Sequence, residues 1–190
     1  MRNQPLTLVA AILLAAGSAQ AEQAANPNAE QAKGLIKEFA TTLQGELQAA
    51  MKAGGPTNAI GVCKDRAPAI AADLAGRSGW EVGRTSLKVR NQALNLPDAW
   101  EAGVLQSFEE RKAAGEPVDT LAFGEVVETP QGKQFRFMKA IPTGEVCLAC
   151  HGSQITPEVT AVLDEQYPGD QARGYALGDI RGAFSLSKPL

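Results

Sequence analysis

Histidine occurs once in this sequence, cysteine three times, and tryptophan and tyrosine twice each. With one histidine there is no second imidazole to ligate a metal or to act as a distal acid–base group, which weighs against a peroxidase. Aromatic residues make up 5% of the chain, so its core must rely on Leu, Val, Ile and Ala. No run of basic residues occurs and the formal net charge is −3, which argues against nucleic acid and anionic membranes as partners. Beyond the first residues, no stretch approaches the roughly 20 apolar positions of a spanning helix. Those first residues read as a secretory signal peptide over 1–21. Arg2 gives the positive start, 6–16 are apolar, and Ala19-Gln20-Ala21 has the small-x-small form of a cleavage site. An uncleaved anchor is the rival reading. The expected mature chain begins near Glu22, lies in a bacterial periplasm, has no membrane span, and is long enough for one domain with a real core.

Residues 22–34 are polar and read as a flexible lead-in, leaving 35–190 as a single domain. Leu35, Phe39, Leu43, Leu47 and Met51 recur every four residues, and Ile36 and Ala40 widen the stripe; this predicts a helix stopped by Gly54-Gly55-Pro56. Thr57 can cap a second helix with Ile60, Cys63 and Ala67 on one face. Pro68 should kink that helix or start a new one. "WEVGRTSLKVRN", 80–91, reads as an irregular strand with a basic tip. A helix over 97–114 should bury Trp100, Val104, Leu105 and Phe108. Two strands follow around Pro130-Gln131-Gly132, with Phe135 and Phe137 facing one way and Arg136 and Met138 the other. Thr156 and Pro157 start a last helix, and Ile180, Phe184 and Leu186 alternate as in a terminal strand. Helices precede strands and no βαβ rhythm appears, which predicts an α+β fold with an antiparallel sheet.

The chemistry concentrates in Cys147-Leu148-Ala149-Cys150-His151. C-x-x-C-H reads as covalent haem c attachment. Two thiols on one helical turn can each add to a porphyrin vinyl group, and the adjacent imidazole then lies under the iron. The rivals are a redox dithiol, a Cys₃His zinc site of Cys63, Cys147, Cys150 and His151, and a Cys147–Cys150 disulfide. Haem attachment leaves Cys63 over. It reads either as a buried, inert thiol or as a thiolate on the open face of the iron. Met138 and, less credibly, Met51 compete for that position, and an open five-coordinate iron is a further possibility.

Several segments in order resemble the single-haem c-type domains with a PAS-like fold found in cyanobacteria and proteobacteria, long catalogued as a domain of unknown function. They are "NAIGVCKDRAPAIA", "GRTSLKVRN" leading to "PDAWE", the hairpin, "CLACHG" and "GDIRGAFSLSKPL". The resemblance covers about 35–190. It implies an antiparallel sheet flanked by helices, His151 as proximal iron ligand and Cys63 as distal ligand. One departure is Gln92 after Asn91, where the family would have proline.

A thiolate ligand would favour ferric iron and a low potential, whereas methionine would raise it. Lys64 and Arg66 could favour the Cys63 thiolate, or be ordinary exposed charges. Arg84, Lys88 and Arg90 form a basic cluster, in which Arg84 and Arg90 could pair with haem propionates or simply edge a solvated strand. The expectation is a periplasmic monohaem protein, not an enzyme, passing electrons to a redox partner protein. The alternative is a sensor in which a small gas or a redox change displaces Cys63 and a separate partner is signalled.

Overall fold

The computed structural model describes residues 26–190, so the expected signal peptide lies outside the described residues. Helix α1 spans Pro27–Gly61. Its start corrects the expected lead-in over 22–34 from Pro27 onward, and 22–25 lie outside the described residues. The Asn26 side chain accepts from the Asn28 amide at 2.9 Å, and Pro27 takes a first-turn position where its missing N–H costs nothing. Ala29 and Ala32 are buried, so alanines that resemble linker composition are one packed face of the helix. Gly54-Gly55-Pro56 does break the regular helix, as a kink between two arms. Gly55 takes φ 69 and ψ −164, which side chains with a Cβ rarely adopt.

The second arm runs into a π-helical turn, Val62–Arg66, and then α2, Ala67–Ser78. The widening has a local cause. Pro68 cannot donate to the turn before it, and the Ala67 N–H reaches back five residues to the Val62 carbonyl. Cys63 sits within that turn.

Strands β1 (Glu81–Thr85), β2 (Ala122–Thr129), β3 (Gly132–Pro142) and β4 (Ile180–Pro189) form one antiparallel sheet in the order β1-β4-β3-β2. Pro130 and Gln131 make the β2–β3 turn, with Thr129 opposite Gly132. Helices cover both faces. On one, Phe39 of α1 and Leu74 of α2 pack with Trp80, Phe135, Phe137, Phe184 and Leu186. On the other, Val104, Leu105 and Phe108 of α3 (Ala99–Ala113) pack with Met138 and Ala140. An Asp98–Glu101 capping box starts α3. Each large apolar side chain buried this way contributes roughly 1.5–3 kcal/mol. The α+β class and the opposite orientation of Phe137 and Met138 are as expected.

The expected alternation of Ile180, Phe184 and Leu186 on one face fails at its first member. The β3–β4 register shifts between Ile141 and Pro142, which pair with Gly182 and Ile180. Ile180 therefore packs on the α3 side with Ala183, while Phe184 and Leu186 face α1. Gly182 allows the shift, with φ 152 and a hypothetical Cβ only 2.4 Å from the Thr85 carbonyl oxygen. Two short helices complete the chain. They are α4, Glu145–His151, and α5, Pro157–Gln166, and Val159 and Leu163 of α5 pack with Ile60 of α1.

Candidate functional site

A cavity of about 870 Å³ lies among α1, α4, the π-helical turn and the β1–β4–β3 end of the sheet. Ile36, Ala40, Leu43 and Leu47 line its α1 side, and Ile141 and Phe184 its sheet side. Its volume is toward the upper end of the range for small-molecule sites.

Helix α4 presents its chemistry as one face. Cys147, Cys150 and His151 stand at i, i+3 and i+4, so all three project to the same side, and all three line the cavity. Gly152 ends the helix. Its amide bonds the Leu148 carbonyl at 3.0 Å, and a Cβ there would lie 2.6 Å from the same oxygen. His151 is held in one tautomer. Its Nδ1–H donates to the Ala172 carbonyl at 2.7 Å, which leaves Nε2 with its lone pair. Arg181 Nε donates to that nitrogen at 3.2 Å, and Arg90 Nη1 lies 3.4 Å from it. Burial, and then the charges of Arg181 and Arg90, push the His151 pKa well below the ordinary histidine value. The ring is a neutral imidazole whose Nε2 is an acceptor, at the wall of the cavity.

Cys63 lines the same cavity from the π-helical turn. Lys64 and Arg66, its sequence neighbours, turn to the surface, where Lys64 bonds Gln166 and Arg66 makes a two-point ion pair with Glu46 at 2.7 and 2.8 Å. The cations within electrostatic reach of the thiol are instead Arg84 and Arg181. Met138 is fully buried in the α3 cluster on the other face of the sheet and does not line the cavity. Met51, expected to be core, does line it.

The two arginines singled out from sequence differ in role. Arg84 makes no ion pair or side-chain hydrogen bond among the described residues, and its guanidinium stands 5.5 Å from the Phe39 ring centroid. Burial lowers its pKa from the usual arginine range. Arg90 lines the cavity too, but its side chain is already engaged. Its donors go to Asp170 at 3.0 Å and to the Cys150 and Ala172 carbonyls, so it braces α4 instead of standing free for an anionic ligand. Gln92 stands where proline was expected, and its side-chain amide donates to the Gly169 carbonyl at 3.0 Å, tying the loop after β1 to the turn after α5.

A family model for Tll0287-like proteins matches residues 18–189. This chain belongs to the Tll0287-like family. The crystal structure of the cyanobacterial haem protein Tll0287 aligns with 87% of this chain and 97% of its own, with a TM-score of 0.66 and 23% identity. That likeness carries the fold. No match is found among curated proteins.

In this Tll0287-like chain the cavity gathers Cys63, Arg84, Arg90, Cys147, Cys150 and His151. All three cysteines are free, and among the described residues no three His, Cys, Asp or Glu side chains gather as a metal cluster. The zinc and disulfide readings therefore have no geometry behind them. Sequence reasoning missed Arg181, Tyr167 and Thr143, which also line the cavity. Thr143 Oγ1 is buried without a hydrogen-bond partner. Only the basic residue in "GDIRG" offered a signal for Arg181, and strand alternation alone would not turn it inward.

Proposed function

We propose that this Tll0287-like chain is a haem c protein, with thioethers at Cys147 and Cys150, His151 as proximal ligand and Cys63 as distal ligand. The observation that carries this is the single face of α4, which sets two thiols and a tautomer-fixed imidazole against a cavity that Cys63 also lines. The remaining lining fits the same cofactor. Arg84 offers a forked cation suited to a propionate, Arg181 would be released for one once iron took the His151 Nε2 it now donates to, and Thr143 offers an unpartnered hydroxyl. Bound there, haem would supply one-electron chemistry at iron. The Cys63 sulfur would donate charge to the metal and hold the couple at low potential.

This makes the protein an electron-transfer module working with a separate redox partner. A periplasmic location accords with residues 1–21 and with attachment of c-type haem outside the cytoplasm. Among the described residues no helix is long and apolar enough to cross a membrane. Produced with a cytochrome c maturation system, the protein should carry one haem that survives denaturation, and Cys147→Ser/Cys150→Ser should lose it. Purification without covalent haem would contradict the proposal.

A sensing role is the second reading, favoured by the π-helical turn under Cys63, since such turns concentrate at functional sites. An electron carrier keeps Cys63 on reduction, whereas a sensor releases it on reduction or on binding carbon monoxide. Absorption spectra of the reduced protein with and without carbon monoxide separate the two.

A further inference from the structure

Arg90 stands between the carboxylate of Asp170 and the imidazole of His151. It is buried, and so is Ala172, the residue through which the two meet. Arg90 Nε donates to Asp170 at 3.0 Å, and Nη2 donates to the Ala172 carbonyl at 3.1 Å and to the Cys150 carbonyl. The Ala172 oxygen also accepts the His151 Nδ1–H at 2.7 Å. One oxygen therefore takes two donors, a cation and the imidazole. Nη1 of the same guanidinium lies 3.4 Å from His151 Nε2, so the fork reaches toward both ring nitrogens. The chain is pinned on either side of that oxygen. The Gln171 amide donates to the Val89 carbonyl at 2.9 Å, and the Tyr175 amide to the His151 carbonyl at 2.9 Å. A brace for α4 needs only Asp170 and the Cys150 carbonyl; the bond to the Ala172 oxygen adds a link to the imidazole itself. We propose that Arg90 is a positioning residue for His151, sharing the Ala172 carbonyl with the Nδ1–H and so limiting the charge that the imidazole gives to iron. This rests on the reading of His151 as proximal ligand.

A carbonyl oxygen has two lone pairs, so both bonds form at once. They compete, because the charge-assisted bond from the guanidinium draws electron density from the oxygen. A ligating histidine becomes more basic when its other N–H meets a strong acceptor. The polarised carbonyl is a weaker one, which leaves His151 a less basic ligand and the potential higher than an unshared carbonyl would give. Asp170 moderates the effect, since its carboxylate offsets the charge that Arg90 brings to the oxygen.

Two variants of the holoprotein carry opposite expectations. Arg90→Lys keeps a cation beside Asp170 but gives up the planar fork that spans the two carbonyls, so the potential should fall. Asp170→Asn leaves the guanidinium without its counter-charge, so the potential should rise. A purely structural brace predicts shifts of one sign, because both substitutions loosen the same segment. The single histidine of the chain allows a second readout. With isotope-labelled histidine, electron–nuclear double resonance of the ferric protein reads the coupling of the ligated imidazole, and Arg90→Lys should change it. Imidazole coupling in the parent, with Arg90→Lys equal to it in potential and coupling, overturns this proposal alone. So do potentials that move the same way in both variants. If Asp170→Asn fails to fold, the comparison of Arg90→Lys with the parent decides. A parent without imidazole coupling overturns the His151 assignment and this proposal with it.

Discussion

The Asp170 side chain is 1% exposed and accepts from Arg90 at 3.0 Å, from Arg173 at 2.8 Å and from the Ala172 amide at 2.9 Å. Burial alone would raise its pKa, but the hydrogen bonds from Arg90 and Arg173 outweigh that and hold the carboxyl below its ordinary value. The sign follows from linkage. The stabilisation is fully present above the unfolded pKa of about 3.9 and is lost as pH falls through the lower folded value. Asp170→Asn strands the Arg90 guanidinium without its counter-charge, for an expected loss of about 3 kcal/mol. Urea unfolding at neutral pH measures this, and the difference from the parent should shrink in acid; equal midpoints would contradict it. Asp170 and Arg90 matter beyond stability because they order the 170–172 segment, whose Ala172 carbonyl sets the His151 tautomer.

At the scale of elements, the β3–β4 irregularity decides which side chains reach the cavity. Period-2 alternation predicts one phase for the whole of β4, and the register shift beside Gly182 changes that phase. Arg181 and Phe184, three residues apart, consequently line the same cavity. Nothing local signals this, because the shift depends on Ile141, Pro142 and the Thr85 carbonyl, all distant in sequence. The helix elements were more legible. Their apolar stripes, the Gly54-Gly55-Pro56 break and the Pro68 disturbance appear where periodicity and proline chemistry place them. The start of α1 was not, since alanine suits a linker and a packed helix face equally well. Gly182→Ala forces a Cβ against the Thr85 oxygen at a positive φ, for an expected loss of about 1–3 kcal/mol in thermal or urea unfolding. A stability equal to the parent's would show that the strand ends can relax.

At the scale of the whole molecule, the site is an assembly of parts from opposite ends of the chain. The thiol of Cys63 comes from the kinked N-terminal helices, the imidazole of His151 from a short helix after β3, and Arg84 and Arg181 from the neighbouring strands β1 and β4. The sequence motif displays the proposed covalent attachment and its histidine, because spacing on one helical turn is a local property. That Cys63 faces the same cavity depends on tertiary packing, and its i, i+3, i+7 pattern with Ile60 and Ala67 indicated only that it points inward. The most direct measurement is the electron paramagnetic resonance spectrum of the ferric holoprotein beside that of Cys63→Ser. The parent should be low-spin with the g-values of thiolate ligation, and Cys63→Ser should lose that signal while keeping its covalent haem. Identical spectra from the two proteins would contradict the ligand assignment.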